Sequence, residues 1–94
     1  MTSDDFEWDE AIAAENYAQH GISFETATRV FDDAFAIERL DDREDYDEDR
    51  YSILGMVGGR LLYVAYALRE GIIRIISARG AEPYERRQYH EDNT

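Results

Sequence analysis

Cysteine and lysine are both absent from the sequence, which also has a single proline and no long apolar run. Without cysteine, neither disulfide bonds nor thiolate metal ligands can hold the fold together. No apolar stretch approaches the roughly 20 residues of a membrane span, and the start Met1-Thr2-Ser3 lacks the basic residues of a secretion signal. We therefore expect a cytoplasmic protein with no membrane contact and a single domain over residues 1–94.

Acidic residues dominate the composition, but they are unevenly distributed. The formal net charge is −12, and such a charge disfavours nucleic acid because the phosphate backbone repels acidic surfaces. Residues 1–49 carry 17 Asp and Glu against 3 Arg, whereas residues 50–94 carry 5 against 7. An anion-binding surface is therefore expected in the second half of the chain. The lysine-free acidic composition is also compatible with adaptation to high salt.

Local patterns predict three helices. Asp9 is typical of an N-cap and Gly21 of a C-cap, which bounds a first helix, and Ser23 can cap a second. A third helix opens at Pro83, which the first turn tolerates, and runs through Tyr89, after which the tail is expected to fray. The residues expected to face a sheet are Ala11, Ala14 and Ala18 on the first helix and Phe24, Ala27, Val30 and Phe31 on the second.

Strand-like runs lie on both sides of an acidic segment. Residues 6–8 predict a short edge strand and residues 34–40 another short strand, while 50–57, 60–68 and 71–79 predict an antiparallel meander. Gly58-Gly59 suits the first tight turn of this meander. The last run is the most apolar and is expected to be a central strand buried on both faces. The expected fold is α+β: a small antiparallel sheet packed by two N-terminal helices and one C-terminal helix.

The acidic segment itself, residues 41–49, has seven acids in nine positions. Like charges at this density resist compaction, so a solvated loop or a strand edge is expected. The segment fails the pattern of a calcium-binding loop, because Arg50 stands where glycine is required and Met56 where the closing glutamate belongs. It could instead mimic a nucleic acid and compete for a basic protein.

Two arginines interrupt the apolar run 71–79. Arg74 and Arg79 cannot lose their charge when buried, so together they predict an anion site at the sheet surface. The alternative is that each forms a salt bridge with one of the many carboxylates. Because they are five residues apart, they point to opposite faces of an ideal strand. A twist or bulge near Ser77-Ala78 is needed to bring both to one site.

Short motifs spread over nearly the whole chain form an ordered set. They are Phe6-Glu7-Trp8-Asp9, Asn16, His20-Gly21-Ile22-Ser23-Phe24, Ala27, Val30-Phe31-Asp32-Asp33, Arg50 with Leu54-Gly55, Val64 with Tyr66, Arg74-Ile75-Ile76-Ser77-Ala78-Arg79, Ala81, Glu85-Arg86 and Tyr89. In this order they resemble the BrnT family of toxins from type II toxin–antitoxin pairs. The resemblance implies a RelE-like ribonuclease fold, RNA cleavage that inhibits growth, and neutralisation by a DNA-binding antitoxin.

The resemblance and the strand geometry together assign residue roles. RNA cleavage without metal needs the 2′-hydroxyl deprotonated, the phosphorane charge stabilised and the leaving oxygen protonated. Charge stabilisation is assigned to Arg50, Arg74 and Arg79, and proton transfer to His20 or Glu85. The expected RNA contacts are Arg69, Arg86, Tyr89 and Trp8. No cofactor or metal is expected, because two histidines and no cysteine leave only carboxylates as ligands.

Each of these roles has a structural alternative. His20 could satisfy the last carbonyls of its helix, and Glu85 could pair with Arg79 or Arg86. Tyr89 could be packing, and Trp8 is interpreted mainly as a core residue because it precedes an alanine-rich helix face. Three positions where the family often has basic residues are changed, namely Ile12, Gln19 and Gly80. The expected partner is a BrnA-like ribbon-helix-helix antitoxin, with operator DNA contacted only through it. The rival function is a non-cleaving binding module that acts with the antitoxin as a transcriptional co-regulator.

Overall fold

The computed structural model describes residues 5–41 and 49–93, so most of the acidic segment, residues 42–48, lies outside the described residues. The elements are β1 (Phe6–Glu7), α1 (Glu10–His20), α2 (Phe24–Ala27), a 3₁₀ helix (Thr28–Asp32), β2 (Ile37–Asp41), β3 (Arg50–Val57), β4 (Arg60–Arg69), β5 (Ile72–Gly80) and α3 (Pro83–Asp92). This is the predicted α+β class. None of the described helices is long and apolar enough to span a membrane.

The strands form one sheet that does not close on itself, in the order β1-β5-β4-β3-β2. The strands from β2 to β5 pair antiparallel, as the predicted meander requires, and Gly58 and Gly59 both have the positive φ of a tight turn. β1 pairs parallel with β5, so the sheet is mixed. β5 lies inside the sheet between β1 and β4, as predicted for a central strand, although β1 pairs with it only at Phe6 and Glu7. The prediction that β5 is buried on both faces was wrong, because only Ile75 and Ala78 of this strand are buried.

The two faces of the sheet are covered to different extents. We call closed the face that packs under α1, α2 and the 3₁₀ helix. Its core residues include Ile53, Val64, Tyr66, Ile75 and Ala78 from the strands and Phe24, Ala27 and Val30 from the helices. Phe31 packs partly against this core, so the predicted face of the second helix is confirmed. The opposite face, called open here, is covered by α3 only around Leu54, Leu61 and Tyr89.

Helix α1 packs with a different side from the one predicted. Ala11, Ala14 and Ala18 are exposed, whereas Asn16 is buried. At about 100° per residue, the alanines lie roughly opposite Asn16 on the helix. The Asn16 amide accepts a hydrogen bond from the Ala78 N–H (3.0 Å) and donates to the Ala78 carbonyl (2.9 Å). The short β1 does not reach this part of the β5 edge, so the N–H and carbonyl of Ala78 need another hydrogen-bonding partner. Providing that partner with Asn16 stabilises the fold more than burying the methyl groups of the three alanines would.

Helix α3 begins as predicted and extends further. Pro83 occupies its first turn, and Glu85 closes a capping box by accepting a hydrogen bond from the Glu82 N–H (2.7 Å). The helix continues past Tyr89 to Asp92, so the prediction of a frayed tail was wrong for these residues. The capping box and the Glu85 side chain fix where α3 meets the open face.

Candidate functional site

A β-bulge in β5 places Arg74 and Arg79 on the same face of the sheet. Arg74 lies opposite Ala67, and Arg79 lies opposite Tyr63. These two β4 residues are four apart, so they share a face, and facing residues of paired strands point the same way. β5 needs one more residue to cover this distance, and Ile76 is that residue, at the shift in register. The predicted irregularity is confirmed, and it places both arginines on one face, four β4 residues apart.

Rows of facing residues place further arginines on the open face. One row contains Asp41, Arg50, Ala67, Arg74 and Glu7, and the next contains Arg39, Ser52, Ala65 and Ser77. Arg50 and Arg74 flank β4, so their main chains lie about 10 Å apart, twice the spacing of neighbouring strands. The small side chains between them leave a low floor. The predicted charge-stabilising residues Arg50, Arg74 and Arg79 therefore lie on one face, with Arg79 two rows away from the other two.

Ion pairs are also present on this surface, as the alternative interpretation predicted. An Arg74 Nη1 donates to Glu7 Oε2 at 2.9 Å, and Arg79 forms a two-pronged pair with Glu85 at 2.8 and 3.0 Å. Each arginine side chain stays 29% exposed. A guanidinium has five N–H donors, and Arg74 uses one of them on Glu7. The carboxylates thus hold both guanidinium groups in place and leave each side chain partly exposed, although Arg79 also lies 4.2 Å from the centre of the Tyr63 ring.

Glu85 is an anchor for Arg79 in this structure. Its carboxylate is buried and accepts hydrogen bonds from Arg79 and from the Glu82 N–H. Burial favours a raised pKa, but these hydrogen bonds, together with the Tyr84 hydroxyl, outweigh it and hold the pKa of Glu85 below its ordinary value. The same pair raises the pKa of Arg79. A carboxylate with a lowered pKa and occupied oxygens is a weak proton acceptor, which favours the ion-pair alternative for Glu85.

His20 is the last residue of α1 and is half-buried. It follows Asn16 by one turn on the same side of the helix, and Asn16 bonds to Ala78, the neighbour of Arg79. The helix end is closed by the main chain, since the Gly21 N–H donates to the Tyr17 carbonyl at 2.8 Å. Among the described residues, no hydrogen bond joins the His20 ring to an arginine. His20 therefore lies beside the β5 edge, and its role stays a prediction.

The two aromatic residues predicted to contact RNA, Trp8 and Tyr89, are buried. Trp8 packs edge-on against Phe24 and donates from Nε1 to Glu10 Oε1. The Tyr89 hydroxyl donates to Asp33 Oδ2 at 2.6 Å, and burial together with this bond raises its pKa to about 12. Neither ring offers a free face to a base, so the burial favours the alternative of core packing.

The two outer arginines of the prediction occupy different surfaces. Arg69 ends β4 opposite Ile72 on the open face and is exposed. Arg86 is exposed on α3, but it lies about 160–200° around the helix from Tyr84 and Gln88, the residues that α3 turns toward β2. Arg69 is therefore placed to extend the arginine surface, whereas Arg86 points away from it.

A groove of about 170 Å³ opens where the open face meets α3. It is lined by Ile37, Arg39, Ser52, Leu54, Tyr63, Tyr84, Glu85 and Gln88. Arg39 and Tyr84 were not singled out from the sequence. The alternation of side chains along β2 was a signal that could have placed Arg39 on the same face as Ile37. The four-residue spacing of Tyr84 and Gln88 was a signal that both lie on one side of α3. Within the described residues Arg39 makes no ion pair, so its charge is available to a ligand.

The structure also shows the surroundings of the three positions where the family often has basic residues, namely Ile12, Gln19 and Gly80. Ile12 and Gln19 are exposed on α1, a helix that contains no arginine. At Gly80 the situation differs, because a Cβ added to it would lie 3.3 Å from Nη2 of Arg60. The Arg60 guanidinium therefore supplies a positive charge beside position 80.

The described residues, 5–41 and 49–93, contain no group of three or more His, Asp or Glu side chains placed to hold a metal ion. A family model described as "Ribonuclease toxin, BrnT, of type II toxin-antitoxin system" matches residues 8–85. The matched region includes Arg39, Arg50, Arg74 and Arg79 and ends at Glu85. A search of curated proteins found no match.

Proposed function

The chain belongs to the BrnT family of ribonuclease toxins of type II toxin–antitoxin systems, and on this premise we propose that it cleaves RNA on the open face of its sheet. Family membership implies an RNA substrate and an antitoxin partner. The observation that carries the assignment of the site is the β5 bulge, which sets Arg74 and Arg79 on the face that also carries Arg50.

In the proposed reaction the 2′-hydroxyl of RNA loses its proton and its oxygen attacks the neighbouring phosphorus without a metal ion. The bond from phosphorus to the 5′-oxygen breaks, the 5′-oxygen takes up a proton, and a 2′,3′-cyclic phosphate is left on the other fragment. Arg50, Arg74 and Arg79 stabilise the negative charge of the phosphorane, which arginine can do because it keeps its proton near neutral pH. Glu7 and Glu85 hold two of these guanidinium groups before substrate arrives, so little reorganisation is needed. Proton transfer is assigned to His20, because Glu85 is committed to Arg79; this assignment requires the RNA to extend over the β5 edge, beside which the end of α1 lies.

The electrostatics of the molecule shape how RNA reaches this face. The net charge of −12 repels a polyanion at long range, whereas the arginines attract phosphates at short range. Salt screens the long-range repulsion as well as the local attraction, so the salt dependence of binding is expected to be weaker than on a basic protein. RNA binding should therefore depend strongly on the few arginines of the open face.

The antitoxin partner is proposed to be a DNA-binding protein of the ribbon-helix-helix type. In this scheme the antitoxin binds the toxin and also contacts operator DNA. The toxin chain alone would repel the DNA because it is acidic. The chain itself would reach DNA only as part of that complex. Mixing the chain with the product of a neighbouring reading frame, and then with operator DNA, tests this assignment.

A second candidate function is a binding module that has lost cleavage. The ion pairs of Arg74 and Arg79 and the exposed Ile12 and Gln19 favour it, because they reduce the positive charge available to the transition state. In this version the chain acts with its antitoxin as a co-regulator of transcription. It predicts operator binding by the complex and no RNA cleavage.

The deciding experiment incubates the purified chain with single-stranded RNA in excess EDTA. Cleavage by the wild type is expected, and Arg74→Ala should slow it by about 10²–10³-fold, the usual loss when a group that stabilises transition-state charge is removed. Arg29→Ala, an exposed arginine on the 3₁₀ helix, is the matched control and should cleave normally. Intact RNA at high concentrations of folded wild type would rule out the ribonuclease, and equal rates for both variants would rule out the site.

A further inference from the structure

The groove between β2 and α3 continues the arginine surface but offers different chemistry. Arg39 and Ser52 belong to the row that crosses the floor of the open face, and they also line the groove. Ile37 and Leu54 give it an apolar part, and α3 adds Tyr84 as one wall. Tyr63 also lines it, with the Arg79 guanidinium 4.2 Å from the centre of its ring. A phosphate bound among the arginines of the open face would therefore lie next to this partly apolar groove.

The volume of the groove limits the size of the group that it can bind. Its volume of about 170 Å³ is below the roughly 300–1,000 Å³ typical of pockets for drug-sized ligands. A single planar ring fits this description better than a whole nucleotide does. The groove is also open along one side, so the remainder of a chain-like ligand can continue onto the open face.

The wall on α3 combines a stacking surface with a hydrogen-bonding group. Tyr84 is 58% exposed although it lines the groove, which leaves ring surface accessible to a ligand. Gln88 follows it by one helical turn and carries both donors and an acceptor. Proteins bind single-stranded RNA by stacking unpaired bases on aromatic rings and bonding to their edges.

We propose that this groove binds one base of single-stranded RNA, stacked on Tyr84, with Gln88 bonding to the edge of the base and Arg39 holding an adjacent phosphate. The proposal rests on the ribonuclease function and adds a base-binding subsite to it. The subsite gives the enzyme a preference for unpaired RNA, because a base held in a duplex cannot enter the groove. Gln88 contributes a preference among the bases.

Binding is measured by fluorescence polarisation of a short labelled RNA with a 2′-O-methyl group on every nucleotide, which cannot be cleaved. Tyr84→Ala should weaken binding about tenfold, within the range found when a base-stacking ring is removed. Tyr84→Phe should restore it, since the ring and not the hydroxyl makes the contact. The matched control is Tyr17→Ala, because Tyr17 is 60% exposed on α1 and lies outside this groove.

A second measurement maps the cleavage positions on a long unstructured RNA. Gln88→Ala should change the base found next to the cut while leaving the unfolding temperature unchanged. An unchanged cleavage pattern would remove Gln88 from the proposal. Equal loss for Tyr84→Ala and Tyr84→Phe would assign the effect to the hydroxyl, which lies near Glu85, and would overturn stacking.

The outcomes separate the subsite from the function it rests on. If the wild type cleaves and binds RNA and Tyr84→Ala equals Tyr17→Ala, the subsite is wrong and the ribonuclease stands. If the wild type neither cleaves nor binds the methylated RNA, both proposals fall. Loss of antitoxin binding by Tyr84→Ala with unchanged RNA binding would show that the groove holds an antitoxin side chain, which also overturns the subsite.

Discussion

The closed and open faces of the sheet are formed by the same strands, yet their chemistry is opposite. On β5, Ile75 and Ala78 pack into the closed core, while Arg74 and Arg79 reach the open face. Strand side chains alternate between faces, so a single strand can contribute to the core and to a site at once. The bulge at Ile76 breaks this alternation once, which is what allows both arginines to share a face. The comparison predicts that substitutions on the closed side change stability and substitutions on the open side change RNA binding.

The largest effect on stability is expected from Asn16→Leu. The leucine is similar in size but removes the bonds to both main-chain groups of Ala78 and to the Ile22 carbonyl, leaving buried polar groups unsatisfied. The free energy of unfolding should fall by about 2–4 kcal/mol, measured by urea denaturation.

Gln19→Leu adds the same side chain to the exposed side of α1 and serves as the control. It should change the free energy of unfolding by less than about 0.5 kcal/mol. Equal stabilities for the two variants would show that Asn16 does not hold α1 on β5.

A smaller effect is expected from Glu85→Gln, at the junction between α3 and the open face. At neutral pH the loss of the charged pair with Arg79 should cost about 1–2 kcal/mol. Because folding lowers the pKa of Glu85, its contribution is present above the ordinary value of 4.5 and is lost as pH falls below it. The difference between wild type and variant should therefore shrink in acid, measured by thermal unfolding across pH.

The control for this pH dependence is Glu25→Gln, an exposed glutamate of α2. Its stability should follow that of the wild type at every pH, within about 0.5 kcal/mol. Parallel curves for wild type and Glu85→Gln through the acid range would contradict the assigned role of the ion pair.

The smallest effect on stability is expected from Arg39→Ala on the open face. Arg39 is exposed and makes no ion pair within the described residues, so the free energy of unfolding should stay within about 0.5 kcal/mol. RNA binding should weaken, and the slope of log K against log salt should fall by about 0.7, the value for one phosphate contact on a single strand. Arg29→Ala, exposed on the 3₁₀ helix, should leave the slope unchanged.

Local signals predicted the elements well. The N-cap Asp9, the C-cap Gly21, the Gly58-Gly59 turn and the first-turn Pro83 all occur where the pattern placed them. Each acts through atoms a few residues away, so the sequence near it carries the information. The spacing of Arg74 and Arg79 also showed that a bulge was needed, which the register confirms.

Longer-range features of the site could not be predicted in the same way. The alanines of α1 suggested a packing stripe, but the unpaired edge of β5 selected Asn16 instead. The partner of Glu85, the burial of Tyr89 and the position of Arg39 in the groove depend on which strands become neighbours. None of these pairings follows from spacing along the chain.

The sequence by itself determined the α+β class, the limits of most helices and strands, and the presence of arginines in strands of the second half. Caps, turns and the alternation of side chains act over a few residues, so they can be predicted from the local sequence without knowledge of the fold. The tertiary structure alone decided that Arg39, Arg50, Arg74 and Arg79 share one face and that acids hold two of them. These outcomes depend on strand order, register and helix docking, which join residues far apart in the chain.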